Sequence, residues 1–123
     1  ISGRVVYTDR LAPLSEEFGN NILELLKKNS DLDGIFATSD VMAANIIRAC
    51  KKMGKRVPED ISIVGFDDTW ISTLTYPSIT TIHQPVQEMC EYAIEAIVKK
   101  VKGEKVPSQV VFPVELIDRE STK

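Results

Sequence analysis

The sequence is short of most residues that perform chemistry. Its 123 residues include one histidine, one tryptophan and two cysteines. No His/Cys/carboxylate cluster has the spacing of a zinc site. No glycine-rich phosphate loop opens a helical pattern, so nucleotide hydrolysis is not indicated. A basic excess is also missing. Fifteen Lys and Arg against eighteen Asp and Glu leave a net charge of −3, which argues against this chain gripping nucleic acid or an acidic membrane directly. No apolar run is long enough to cross a bilayer and no signal-peptide pattern is visible, so a cytoplasmic protein is the default expectation. There is no initiator methionine, and the first residues lead almost directly into a strand pattern, so the chain reads as part of something longer. These absences predict no enzyme, no cofactor and no resident metal.

What is present is organised around Ile61-Ser62-Ile63-Val64-Gly65-Phe66-Asp67-Asp68-Thr69. An apolar, β-branched run of strand length ends in a glycine, an aromatic residue and two adjacent carboxylates. Such a run predicts the central strand of a parallel sheet, buried on both faces. The acids stand at its carboxyl end, the edge at which open α/β sheets bind ligands.

The flanking segments agree. A strand is expected over 3–9 and a loop over 9–14, after which Ser15 caps a helix whose apolar face is Phe18, Ile22, Leu25 and Leu26. Lys27 and Lys28 suit its negative end, with Asn29 as a left-handed stop. A short strand over 35–38 leads to Ser39 or Asp40 as cap of a helix over 41–53, which Gly54 closes. Its face is Ala43, Ile46, Ile47, Cys50 and Met53. Cys50 and Cys90 both lie in helical patterns and are expected to be reduced core thiols. After an irregular stretch over 69–78 come an extended segment over 79–83 and the cleanest helical stripe in the chain, Val86, Met89, Cys90, Ala93, Ile94, Ile97 and Val101. Gly103 ends that helix, a last strand is expected over 110–117 with Pro113 pushing part of it to an edge, and 118–123 reads as a polar tail. The fold class is therefore α/β: a parallel, doubly wound βαβ sheet flanked by helices.

Strand ends that precede helices share one edge. That edge gathers Asp9 and Arg10, then Ser39 and Asp40, then Asp67 and Asp68. Neighbouring residues on a strand point in opposite directions, so only one of the paired acids faces a given ligand. A carboxylate that accepts hydrogen bonds from sugar hydroxyls is a better use of such a residue than magnesium binding. Trp70 beside the acids can stack on a sugar ring or a base, or cap an interface. Arg10 can pair with an anionic group. His83, in an extended segment, reads as a hydrogen bonder rather than a base.

Taken in order, Asp33-Gly34-Ile35-Phe36-Ala37-Thr38-Ser39-Asp40, Val57-Pro58-Glu59-Asp60 leading into the central run, Pro77-Ser78-Ile79-Thr80-Thr81-Ile82-His83-Gln84-Pro85 and Leu116-Ile117-Asp118-Arg119-Glu120-Ser121-Thr122 resemble the carboxyl-terminal part of a LacI/GalR (lactose-repressor) family transcription regulator. The resemblance implies a lobe of a periplasmic-binding-protein-like core, with the lobe proper over 1–82 and 107–123. The helix over 85–103 would pack in a first lobe absent from this chain, as is the DNA-binding domain. Exposed on its own, that helix's stripe would associate, either on its own lobe or on a second copy.

The resemblance also implies an effector site. Asp67 would bond effector hydroxyls, with Ser39 where many members have asparagine, and with Asp9, Arg10 and Trp70 nearby. Asp40 and Asp68 would be caps or supports, and His83, Gln84 and Pro85 the hinge. The implied effector is a sugar, sugar phosphate or purine-like molecule, sensed by a homodimer that meets operator DNA only through its amino-terminal domain, with no membrane role. The alternatives are a sugar-binding protein of a transport system and a metal enzyme using Asp67 and Asp68.

Overall fold

A computed structural model describes residues 16–123, with side chains described from Gly19 onward. The expected strand over 3–9, the loop over 9–14 with Asp9 and Arg10, the Ser15 cap and the Phe18 side chain lie outside the described residues.

Helix α1 runs Glu16–Lys28 and carries Lys27 and Lys28 in its last turn. It stops differently from expectation. Asn29 does not adopt a left-handed conformation, and Asp67 and Asp68 are the non-glycine residues with positive φ among those described. Instead the Leu25 carbonyl accepts from both the Asn29 backbone amide at 3.1 Å and the Asn29 side-chain amide at 2.8 Å, which closes the last turn. Strand β1 is Gly34–Phe36. Helix α2, Asp40–Lys52, is capped by Ser39, whose extended backbone (φ −160°, ψ 158°) lets its hydroxyl accept from the Met42 amide at 3.2 Å. Gly54 closes it at φ 72°, the left-handed region where glycine carries no Cβ penalty.

Strand β2, Ser62–Asp67, is central. Parallel β1 lies on one side, with Ile35 opposite Ile63, and parallel β3, Thr80–His83, on the other, with Gly65 opposite Thr81. Strand β4, Glu115–Ile117, adds antiparallel to β3, so the sheet order is β1-β2-β3-β4. The last strand is thus three residues long rather than the eight expected over 110–117. Pro113 has no amide to donate, and the residues before it run beside the last helix instead.

The core lies between α2, backed by α1, and one face of this sheet. Leu26, Ala43, Cys50, Ile61, Ile63 and Ile79 are fully buried there. Each large aliphatic among them contributes about 1.5–3 kcal/mol of burial. The opposite face is less covered: Val64 and Phe66 are half-buried, and the rings of Phe36 and Phe66 meet edge to face at 6.2 Å. The expectation of a strand buried on both faces therefore holds in full for one face only among the described residues.

A four-residue helix, α3, Ile71–Leu74, occupies the stretch expected to be irregular. Helix α4, Val86–Val101, closes at Gly103 (φ 79°) and buries none of its residues. Its stripe does not repack on its own lobe: Ile94, Ile97 and Val101 are 64%, 63% and 84% exposed. The crossovers on either side of α4 lead it away from the α1–α2 layer. The returning chain meets it instead, with the Tyr92 and Phe112 rings edge to face at 5.9 Å. Cys90 shares the exposure of this helix and is not a core thiol, unlike buried Cys50. Burial pushes the Cys50 thiol above its ordinary value, against the opposing effect of Lys55 and a backbone hydrogen bond. No helix among the described residues is long and apolar enough to cross a membrane.

Candidate functional site

The three parallel strands point their carboxyl ends to one edge, and the side chains that follow them meet there. Asp67 ends β2 and Asp68 follows it, with φ of 99° and 53°. Both values lie in the left-handed region that ordinary residues avoid, so the turn must be held by its surroundings.

Asp40 provides much of that hold. It is fully buried at the start of α2. Its Oδ2 accepts from the Thr69 amide at 2.6 Å and the Thr69 hydroxyl at 2.9 Å, and its Oδ1 accepts from the Thr81 hydroxyl at 2.5 Å. One carboxylate thus joins α2, the turn after β2 and β3. The cap position belongs to Ser39, so Asp40 acts as a support and not as a cap. Gly65 makes room for it: a Cβ there would lie 2.5 Å from Asp40 Oδ1.

The two acids diverge, but from a left-handed turn at the end of β2 rather than from the alternation of an extended strand. Asp67 Oδ1 accepts from the Gln84 side-chain amide at 2.7 Å. Asp68 turns to other partners. Its Oδ1 pairs with the Arg119 guanidinium at 2.7 Å, and its Oδ2 lies 3.0 Å from His83 Nδ1. Burial raises the pKa of the Asp68 carboxyl, but the hydrogen bonds and charges of Arg119 and His83 outweigh it and hold the group below its ordinary value. Arg119 also donates to the Ser72 hydroxyl at 3.0 Å and the Ile79 carbonyl at 2.9 Å. Asp68 is therefore a support, and its contacts are not those of a helix cap.

Asp40 is thus brought to the turn that carries Asp67, Ser39 caps α2 beside it, and Trp70 begins α3 with 71% of its surface exposed. The expected effector residues Asp9 and Arg10 lie outside the described residues. No group of three His, Cys, Asp or Glu able to hold a metal ion exists among the described residues.

Sequence reasoning missed Arg119, Thr81 and the Gln84 contact, and it misread the carboxyl-terminal segment. That segment is not a solvated tail. Ser121 is fully buried, its hydroxyl donating to the Ile63 carbonyl at 2.5 Å and accepting from the Thr80 amide at 2.8 Å. Glu120 accepts from the Ser78 amide at 2.9 Å. Composition gives no signal for this, because polar residues that complete a buried network and polar residues in water look alike.

This arrangement defines a class first: an α/β lobe that gathers polar side chains at one edge of a parallel sheet and has a helix led away from its core. A family profile described as a periplasmic binding protein-like domain matches residues 5–122. The chain belongs to that family, in the branch carried by LacI-type transcription regulators. The ribose operon repressor of Halalkalibacterium halodurans is 37% identical over 100 residues, which cover 80% of this chain and 30% of the repressor. Among solved structures, the transcriptional regulator CelR in complex with cellobiose is 34% identical with a TM-score of 0.79, covering 84% of this chain and 32% of CelR. The lac repressor dimer bound to operator and the anti-inducer ONPF is 29% identical, also with a TM-score of 0.79, over 88% of this chain and 38% of that one. The chain spans about a third of the length of the relatives it matches.

Proposed function

We propose that this chain is the carboxyl-terminal effector-sensing lobe of a LacI-type transcriptional regulator, with no enzymatic activity of its own. The observation that carries the proposal is Asp67. It stands half-buried at the carboxyl end of the central strand, and among the described residues its Oδ2 accepts no hydrogen bond. A fixed carboxylate of this kind accepts from the hydroxyls of a sugar, the ligand class for which relatives of this chain are named. Those relatives are regulators, which favours this reading over a transport binding protein.

In this reading Asp67 is the principal effector contact, Ser39, Trp70, Asp9 and Arg10 complete the near side, and residues 83–85 form the hinge. The lobe proper is 1–82 with 107–123, and α4 belongs with a first lobe against which its exposed stripe packs. The regulator works in the cytoplasm as a homodimer and meets operator DNA through an amino-terminal helix-turn-helix domain. Effector must bind the open and closed forms unequally, since only a differential affinity shifts the operator-bound population.

The test is a thermal-shift screen of sugars, sugar phosphates and purines on the full-length regulator, with Asp67→Ala beside it. A ligand at a hundred times its Kd stabilises the folded state by about 2.7 kcal/mol, a readable rise in Tm. The expected result is such a rise for one sugar, lost in the variant. A rise that persists undiminished in Asp67→Ala refutes the role of Asp67.

A further inference from the structure

Asp67 is already partly occupied. The β2–β3 register sets Asp67 opposite His83 and leaves Gln84 one residue beyond the pair. Gln84 reaches back, and its side-chain amide donates to Asp67 Oδ1 at 2.7 Å, a short charge-assisted bond. The Gln84 backbone carbonyl meanwhile accepts from the Val86 amide at 2.8 Å, at the first residue of α4. One residue therefore holds the acid of the candidate site with its side chain and the start of the crossover helix with its backbone. Its neighbour His83 is tied to Asp68 in the same way, at 3.0 Å.

We propose that Gln84 is an internal competitor for the effector. Its amide occupies Oδ1 of the Asp67 carboxylate, and an effector that takes both carboxylate oxygens with a pair of hydroxyls displaces it from Oδ1. The inference rests on the reading of Asp67 as an effector contact and adds its regulation. Displacement removes one of the two side-chain ties between the turn after β2 and the segment entering α4 and leaves the His83–Asp68 contact, so occupancy of the site is reported to the crossover through the Gln84 bond. The coupling is reciprocal: whatever fixes Gln84 on Asp67 weakens the effector, by the same factor that the effector loosens Gln84.

Competition predicts opposite signs for two substitutions, which a purely structural role does not. Gln84→Leu removes the competing donor and leaves Asp67 open. Gln84→Lys replaces it with a cation that grips the carboxylate harder. The experiment uses the full-length regulator. Melting curves of each variant are taken first, and isothermal titration with cellobiose, ribose and lactose follows.

For a sugar bound by the wild type, Gln84→Leu is expected to tighten binding about threefold to tenfold, and Gln84→Lys to weaken it by a similar factor that shrinks with added salt. Binding by Gln84→Leu where the wild type shows none supports the proposal equally. Two folded variants that both bind more weakly, or both bind as the wild type does, overturn the competitor role and leave the sugar-sensing reading standing. Binding of no sugar by any form overturns the sugar-sensing reading, and the competitor role goes with it.

Discussion

Removing the Arg119 guanidinium tests how the carboxyl-terminal segment locks the ligand edge. The Arg119 side chain is 18% exposed and Asp68 17%, so their 2.7 Å pair is largely removed from water. Arg119→Met keeps most of the aliphatic stem. It deletes the bond to Asp68 and the bonds to Ser72 and the Ile79 carbonyl. Breaking one partner of a fully buried pair costs about 3–5 kcal/mol. Residual exposure here, and the His83 contact left to Asp68, reduce that to about 2–3 kcal/mol.

Urea denaturation followed by far-UV circular dichroism measures this at neutral pH. Because a domain of this size has about 5–15 kcal/mol in total, the change is large. The pH dependence gives a second reading. The folded pKa of Asp68 is lowered, so its stabilisation is present above the unfolded carboxyl value of about 3.9 and is lost as pH falls through the lower folded value. Without Arg119 the Asp68 pKa moves back up, and the acid-side loss of stability becomes shallower. A cost below about 1 kcal/mol, the range of an exposed pair, together with an unchanged acid limb, refutes the lock.

Three further outcomes follow from the same packing. Gly65→Ala drives a Cβ to 2.5 Å from Asp40 Oδ1 and 3.1 Å from Ile79 Cγ2, so it should cost about 1–3 kcal/mol by urea denaturation; a neutral result would mean the Asp40 network yields freely. Cys90 should react with a thiol reagent in this folded chain, and Cys50 only on unfolding, because one is exposed and the other buried with a raised pKa; equal rates in the folded chain would contradict the placement of α4. Ile97→Lys on the exposed face of α4 should change the stability of this chain by no more than about 0.5 kcal/mol, whereas a loss of several would show that α4 packs on the lobe after all.

Periodicity made most of the framework legible. The run at 61–69 announced the central strand because its apolar pattern matches no other element of that length, and the faces of α1 and α2 followed from 3.6-residue spacing. Gly54 and Gly103 marked helix ends because each needs a positive φ. Those are local properties, determined by residues within a few positions of one another.

Only the tertiary structure decided who meets whom at the edge. Asp40 looked like a cap until Thr69 and Thr81 reached it from other elements. Arg119 and Ser121 sat in what read as a solvated tail, yet they close on Asp68 and on Ile63, 51 and 58 residues earlier. The α4 stripe had the strongest helical pattern in the chain and correctly announced a helix, but its amphipathicity could not say where the complementary surface lies. The hydrophobic effect specifies that an apolar face seeks cover and is non-directional about which surface provides it, whereas chain connectivity and hydrogen-bond geometry select the partner.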